Sequence, residues 1–117
     1  MKVVIKKDPV KGRGVYASEK ISKGELIEVC ELIIVDMENI SGELERYAYY
    51  YTRNQAAIAL GNGSLFNHSQ KANSEFSINY KQQRLYIRAK KTIKPGDEIT
   101  INYRYDAPLR KKYKLIE

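Results

Sequence analysis

Three short segments of this 117-residue chain carry groups that could do chemistry. The first is Gly12-Arg13-Gly14, in which two glycines flank one residue, so that a ligand can approach the backbone and meet exposed N–H groups. The segment is not a dinucleotide fingerprint, because no third glycine follows and no helical pattern begins. Taken alone, it is better explained as a structural turn.

The second segment is Asn67-His68-Ser69, with Asn73 shortly after it. Asparagine and histidine side chains in a loop can form hydrogen bonds with a ligand, and they can equally well satisfy their own turn. No Ser, Cys or Asp is an obvious partner for His68 in the sequence, so a hydrolytic triad has no support.

The third segment runs from Gly96 to Tyr103 and alternates apolar and polar residues before it ends in a tyrosine. A strand that ends in this way places a phenol at the rim of a sheet, where it can act on a ligand. The plainer interpretation is a rim tyrosine with half of its ring buried.

Composition narrows the class of protein. Hydrophobic residues make up 43% of the chain and charged residues 30%, which indicates one globular domain rather than a disordered segment. The net charge of +7 favours acidic partners such as nucleic acid, or it reflects a solvated basic surface with no partner. The basic residues are scattered, and their densest run is Arg110-Lys111-Lys112 with Lys114.

The single cysteine, Cys30, lies among apolar residues and is predicted to be a buried small hydrophobe. One cysteine cannot form an intramolecular disulfide, which fits a reducing, intracellular compartment. One cysteine and one histidine are also too few for a structural zinc site. The charged N-terminus lacks a secretory signal, and no apolar run approaches the ~18 residues that span a bilayer, so we expect no membrane association.

Hydrophobic alternation predicts a chain of short strands. The expected strands cover residues 3–5, 15–17, 26–35, 56–60 and 99–103, together with a hairpin of residues 76–80 and 85–89. One helix is expected over residues 41–51, because Ser41 could cap it and Glu43 and Glu45 fall in its first turn. Tyr47 lies on the apolar face of that helix.

Residues 17–27 and 89–99 repeat one pattern, with Ala, Ile, Gly, an acid and Ile at matching offsets. The physical unit is a strand, a tight turn that needs the permissive backbone of glycine, and another strand. Its double use predicts a fold of small folded-over sheets.

Each segment alone favours its plainer explanation, but in this order and at this spacing the three resemble the SET domain, from about residue 12 to residue 103. The short length resembles the minimal SET proteins of large DNA viruses and bacteria. The resemblance implies a mainly β fold of the SET-type β-clip kind, with folded-over small sheets, one short helix and a C-terminal pseudoknot crossing. It also implies a single SET domain over residues 1–117, with residues 107–117 as a C-terminal tail.

The sequence departs from the family pattern in three respects. Ala72 stands where many members have proline, and Asn102 stands where many have aspartate. The cysteine-rich flanks that bind zinc in many members are absent, so the resemblance predicts no metal. Without them, Tyr105 and residues 107–116 are the candidates on this chain for closing the lysine channel.

The resemblance implies a protein-lysine N-methyltransferase that uses S-adenosylmethionine. Tyr103 would be the catalytic residue, with its hydroxyl beside the transferring methyl group. The cofactor-binding residues implied are Gly12, Arg13, Gly14, Asn67, His68 and Tyr103. The candidates for the lysine channel are Tyr47, Ile101 and Tyr105. The run Tyr49-Tyr50-Tyr51 offers further channel walls, although some of it must belong to the core.

The expected partner is a lysine-bearing protein, such as a histone or another DNA-associated protein, and a homodimer is a further expectation. The expected location is intracellular: cytoplasm or nucleoid, or the host nucleus for a viral source. Three alternatives stay open, namely a non-enzymatic β-clip module that binds protein, glycan or nucleic acid, a SET-like scaffold without activity, and a nucleic-acid binder. The Asn67-His68-Ser69 segment and Tyr103 favour the enzyme, because such modules do not need them.

Overall fold

The computed structural model describes residues 2–10 and 12–103, and within these ranges nearly every ordered element is a strand. The strands are β1 (Val3–Asp8), β2 (Gly12–Ala17), β3 (Leu26–Asp36), β4 (Tyr49–Thr52), β5 (Gln55–Ala59), β6 (Asn67–His68), β7 (Ser74–Asn79), β8 (Arg84–Ala89) and β9 (Glu98–Ile101). Three short 3₁₀ helices are also present, at Met37–Asn39, Gly42–Arg46 and Gly63–Leu65. The prediction of a mainly β fold is confirmed.

The strands form two sheets with different roles. One sheet has four strands in the order β1-β2-β9-β6, and the other has five in the order β4-β5-β3-β8-β7. Every pair of neighbours is antiparallel except β6 and β9, which run parallel. The first sheet therefore carries all three segments that the sequence marks as chemically capable.

Strand β3 is the central strand of the larger sheet, because it pairs with a different neighbour along each half of its length. Its first half pairs with β8 and its second half with β5, and the register shifts between Leu26 and Glu28. An irregularity of this kind bends a strand and increases its local twist. The long apolar run of residues 26–35 thus forms one curled strand that connects both halves of the sheet.

The two repeated segments lie against each other as a near-symmetric pair. Ile21 and Ile93 exchange backbone hydrogen bonds of 3.0 and 2.8 Å. The turns also match, because Gly24 donates to the carbonyl of Ala89 at 2.9 Å and Gly96 donates to that of Ala17 at 2.8 Å. Both glycines have positive φ angles, +85° and +89°, which side-chain-bearing residues rarely adopt. The sequence repeat is therefore a structural repeat, formed by two hairpins that face each other.

The predicted helix over residues 41–51 is wrong in length and in type. The chain forms a 3₁₀ helix over Gly42–Arg46 and then enters strand β4 at Tyr49. The Ser41 side chain forms no capping hydrogen bond, and the positive φ of Gly42, +63°, interrupts a regular helical start. Pairing of Tyr49 with Ala57 and of Tyr50 with Ala56 instead draws the tyrosine run into the sheet. Tyrosine has a high strand propensity, and the tertiary pairing overrides the helical spacing.

The core lies between the two sheets and includes residues from both hairpins. Its largest fully buried apolar side chains, at 0–1% exposure, are Val15, Ile21, Phe66, Leu85, Ile87, Ile93, Ile99 and Ile101. Cys30 is 3% exposed, so its predicted burial is confirmed. In the part of the chain that the structure describes, no helix is both long enough and apolar enough to cross a bilayer.

Candidate active site

Two of the three predicted segments meet where β6 lies parallel to β9. Asn67 is paired with Thr100 and His68 with Ile101. Asn73 extends the contact beyond the short strand, since its side-chain amide donates to the carbonyl of Glu98 at 2.8 Å and its Oδ1 accepts from the Thr100 N–H at 3.0 Å. Segments about 30 residues apart in sequence are thus held together by backbone and side-chain hydrogen bonds.

The glycine segment joins the same place through Asn67. The Asn67 amide nitrogen donates to the carbonyl of Arg13 at 3.0 Å and to Oε2 of Glu98 at 2.7 Å. A Cβ at Gly14 would lie 2.6 Å from that carboxylate oxygen and 2.9 Å from the same amide nitrogen. Glycine is therefore needed at position 14 because three strands converge there, whereas the space around Gly12 is open.

Tyr103 is fixed from two directions by the residues around Asn67. Its backbone N–H donates to Nδ1 of His68 at 3.0 Å, and its hydroxyl donates to the carbonyl oxygen of Phe66. Because a backbone N–H can only donate, Nδ1 of His68 is an acceptor and the ring carries its proton on Nε2. The His68 and Tyr103 rings lie 5.2 Å apart. The predicted phenol and the predicted asparagine–histidine pair are thus direct neighbours.

A narrow aromatic cleft lies at the Tyr103 ring. It is lined by Arg46, Tyr47, Tyr49, Ser64, Phe66 and Tyr103. Tyr49 is held by a 2.7 Å hydrogen bond from its hydroxyl to the carbonyl of Gly63 and by an edge-on contact with Phe76, with 5.1 Å between the ring centroids. Four aromatic side chains meet at this narrow cleft, and aromatic surfaces interact favourably with an aliphatic chain that ends in a cation.

The three predicted channel residues have different positions. Tyr47 lines the cleft and is 37% exposed. Ile101 is completely buried in the core and is not one of the side chains that line the cleft. Tyr105 and residues 107–117 lie outside the described residues.

The sequence assigns no role to Phe66 and Glu98, two residues that shape the site, and it offers Tyr49 only as one of three adjacent tyrosines that could form further channel walls. Phe66 immediately precedes Asn67 and lines the cleft, and Tyr49 belongs to a tyrosine run whose orientation depends on β4 being a strand. Glu98 belongs to the third segment, yet only the structure shows that it accepts the hydrogen bond from Asn67. The sequence signal that could have identified Glu98 is its position inside the third segment, between Gly96 and Tyr103.

The carboxylate of Glu98 also affects the ionisation of Tyr16, which lies close to the glycine segment. Burial, then Glu98 and Asp8, raise the pKa of Tyr16, whose ring lies 5.6 Å below the ammonium group of Lys6. In the core, burial together with Glu28 raises the pKa of the Cys30 thiol to about 12. Cys30 is therefore a neutral packing residue rather than a nucleophile.

Glu28 fixes the loop that leads into the site. Its carboxylate accepts from the Asn62 backbone N–H at 2.7 Å and from the Asn62 side chain at 3.3 Å. Gly63, which follows, is packed so closely that an added Cβ would lie 2.6 Å from Cβ of Ala59 and 2.8 Å from Sγ of Cys30. The approach to Phe66 and Asn67 is thus anchored on strand β3.

Comparison with known proteins agrees with this geometry. A family model described as "SET domain" matches residues 12–104. A histone-lysine N-methyltransferase of Schizosaccharomyces pombe (strain 972 / ATCC 24843), specific for lysine 37 of histone H3, is 29% identical over 98 residues, which cover 80% of this chain and 67% of the relative. A crystal structure of a candidate histone methyltransferase from Plasmodium falciparum aligns with a TM-score of 0.79 and 32% identity, over 90% of this chain and 95% of that one. The chain belongs to the SET-domain family, and it is a protein-lysine methyltransferase.

Proposed function

We propose that this enzyme methylates a lysine of a histone or of a similarly basic DNA-associated protein, with Tyr103 as its catalytic residue. The observation that carries the proposal is the position of Tyr103, which belongs both to the aromatic cleft and to the Asn67–His68 contact. A phenol in this position can face two ligands at once.

S-adenosylmethionine is the cofactor that SET methyltransferases use, and the residues around Gly14 suit it. The missing Cβ at Gly14 leaves backbone close to Asn67 and Glu98, and the exposed Gly12 and Arg13 add further backbone groups and a guanidinium. In the proposed site Gly12, Arg13, Gly14 and Asn67 bind the cofactor, and His68 holds the backbone of Tyr103 in place. The cofactor supplies a methyl group on a positively charged sulfur.

The chain's own residues would prepare the lysine. The aromatic rings of the cleft exclude water from the amine, and this desolvation favours the neutral form that can attack a methyl carbon. The hydroxyl proton of Tyr103 is directed at the Phe66 carbonyl, so its oxygen lone pairs are available to orient the amine. Tyr47 and Tyr49 hold the aliphatic part of the side chain in line.

The segment that leads into the cleft is acidic, which suits a basic substrate. This segment ends at Arg46 and Tyr47, two residues that line the cleft. It contains four acids, namely Asp36, Glu38, Glu43 and Glu45. These carboxylates can attract the lysines and arginines around a target residue. Both relatives described above are named as histone methyltransferases, which supports the same class of substrate.

The decisive test compares Tyr103→Phe with wild type and with Tyr80→Phe, which removes a phenol from a residue that is 54% exposed and does not line the cleft. Transfer of labelled methyl groups into core histones and into a free histone peptide should fall by about 100-fold or more in Tyr103→Phe, as is typical when a catalytic group is removed. Cofactor affinity by calorimetry should stay within a few-fold of wild type. Wild-type turnover by Tyr103→Phe would exclude Tyr103 as the catalytic residue.

We also propose that the protein forms a homodimer, because Leu26, Val29 and Ile33 leave exposed apolar surface along β3. Light scattering across a concentration series should give twice the monomer mass. A monomer at every concentration would exclude the dimer.

A further inference from the structure

We infer that five exposed lysines on the two facing hairpins form a binding surface for the phosphate backbone of double-stranded DNA. The lysine surface consists of Lys20, Lys23, Lys90, Lys91 and Lys94. It is distinct from the cleft and from the glycine segment, and the methyl transfer reaction does not need it.

The fold brings these lysines together in register. The Ile21–Ile93 bridge is antiparallel, so Lys20, which precedes Ile21, lies opposite Lys94, which follows Ile93. Beyond the bridge, Gly24 donates to the carbonyl of Ala89, which brings the turn that contains Lys23 next to the segment that contains Lys90 and Lys91. Lysines far apart in sequence thus lie around the same backbone contacts, and Lys20 and Lys94 form a like-charged pair.

This arrangement costs stability unless something outside the chain compensates it. Like charges directly opposite each other on antiparallel segments are destabilising. Within the described residues, none of the five ammonium groups has a carboxylate within salt-bridge distance, whereas Lys2 is paired with Glu25 at 2.8 Å. The two hairpins contain four acids. Glu25 is paired with Lys2 and Glu98 accepts from Asn67, so Glu19 and Asp97 are left to offset the five lysines, which gives these seven residues a net charge of +3. The lysine surface therefore combines a high density of charged groups with a net positive charge.

The neighbouring side chains favour a nucleic acid over a membrane. Ser18, Ser22 and Thr92 are exposed beside the lysines, and hydroxyl groups commonly contact phosphate oxygens in protein–DNA complexes. A surface that inserts into lipid would need large apolar side chains. None of the exposed large hydrophobic residues in the described part of the chain falls within residues 18–25 or 89–97.

Charge is also separated along strand β3. The lysine surface lies at the start of β3, since its lysines precede Leu26 or follow the end of β8. The four acids of residues 36–45 begin at Asp36, where β3 ends. Strand β3 has 11 residues, so its two ends lie up to ~35 Å apart. The negative charge that begins at the far end of β3 repels phosphate, so the field of the protein directs a duplex toward the lysine surface.

Fluorescence anisotropy with a labelled 20-base-pair duplex over 50–200 mM salt tests the inference. Each phosphate contact that is lost should flatten the dependence of log K on log salt by about 0.9. Lys20→Gln with Lys94→Gln should flatten it by about 1.8, and adding Lys23→Gln with Lys91→Gln should weaken binding at 100 mM salt by about tenfold or more. The matched control removes two exposed charges from other turns, with Arg53→Gln and Lys81→Gln, and should leave the slope unchanged.

Several outcomes would overturn the inference. One is equal binding by wild type and the fourfold variant. Another is an equal loss in the control, which would indicate a dependence on net charge alone. A third is loss of binding only when Arg110, Lys111, Lys112 and Lys114 are changed to Gln, which would assign the effect to the C-terminal run. A fourth is lysine-dependent binding to phosphatidylserine vesicles without binding to duplex. Unchanged methylation of a free histone peptide by the fourfold variant confirms that it is folded.

Discussion

The two sides of Tyr103 are built in different ways. On one side, Gly14, Asn67 and Glu98 come from three separate segments and are held by hydrogen bonds of 2.7 to 3.0 Å, with no space for one additional carbon atom. On the other side, the cleft is formed mostly by aromatic rings from residues 46–49 and 64–66. On the first side, the backbone at Gly14 lies close to fixed polar side chains. On the second side, large aromatic side chains pack around the cleft.

This difference predicts different sensitivities to mutation. Close-packed polar sites tolerate no added volume and lose function abruptly, because nothing in them can move without breaking a hydrogen bond. Aromatic clefts can repack, so single changes there have graded effects. The two sides should therefore separate in experiment, with cofactor binding lost by changes on one side and substrate selection altered by changes on the other.

The largest effect is expected from Gly14→Ala. Its Cβ would lie 2.6 Å from Oε2 of Glu98 and 2.9 Å from Nδ2 of Asn67, so one of these groups must move out of place. Overpacking of this kind costs about 1–3 kcal/mol, and here it also removes the cradle proposed for the cofactor. Calorimetry should show loss of S-adenosylmethionine binding.

Gly24→Ala is the control for Gly14→Ala. No atom lies within 4 Å of the added carbon at that position, but φ is +85°, so only backbone strain results. This control should lower the melting temperature by an amount that reflects about 1 kcal/mol while leaving cofactor affinity unchanged. Full cofactor affinity in Gly14→Ala would contradict the proposed role of the glycine.

A smaller effect is expected from Glu98→Gln, which keeps the shape of the side chain and removes its charge. A hydrogen bond to a charged group is worth more than a neutral one, so weakening the bond to Asn67 should reduce cofactor affinity about 5- to 10-fold. Glu98 is a positioning residue in this proposal because it acts through Asn67.

A purely structural role for Glu98 can be distinguished by the ionisation of Tyr16. After burial, the charge of Glu98 is the next cause that raises the pKa of Tyr16, since a nearby negative charge disfavours the phenolate. In Glu98→Gln the pKa of Tyr16 should therefore move downward, toward 10, as NMR titration of labelled tyrosine can measure. An unchanged Tyr16 pKa together with unchanged cofactor affinity would remove Glu98 from the site.

The sequence was most informative about the glycine side. The Ala-Ile-Gly-acid-Ile repeat predicts two similar hairpins, because positive φ at Gly24 and Gly96 is a local requirement that a sequence can display. The family resemblance then implied that Gly14, Asn67 and Tyr103 meet, and the structure brings them together. Sequence spacing alone could not have shown this, since a parallel contact between β6 and β9 leaves no local pattern.

The aromatic side was poorly predicted for a physical reason. Residues 41–51 have apolar side chains at helical spacing, yet the run Tyr49-Tyr50-Tyr51-Thr52 also has strong strand propensity. Pairing with β5 decides between the two, and that pairing depends on residues outside the window. Tyr47, which the sequence proposes for the channel, lines the cleft, whereas the helical prediction could not single out Tyr49 from the tyrosine run, because its orientation follows from strand β4. Phe66 was not predicted.

The smallest effect is expected from Tyr49→Phe, which tests the aromatic side with least disturbance. The change removes the 2.7 Å hydrogen bond to the Gly63 carbonyl and keeps the ring contact with Phe76. The free energy of unfolding should fall by about 1 kcal/mol, because a buried carbonyl loses its partner. Because the ring stays in place and Gly63 lies in the loop before Phe66, the KM for a histone peptide should rise only a few-fold, while cofactor affinity stays at the wild-type value.

Tyr51→Phe is the matched comparison, since its hydroxyl donates to the Tyr80 carbonyl at 3.2 Å and its side chain does not line the cleft. It should lower stability by a similar amount and leave the KM unchanged. If Tyr49→Phe weakened cofactor binding as strongly as Gly14→Ala, the two sides of Tyr103 would be one cooperative unit. The distinction between a rigid polar side and an adaptable aromatic side would then not hold.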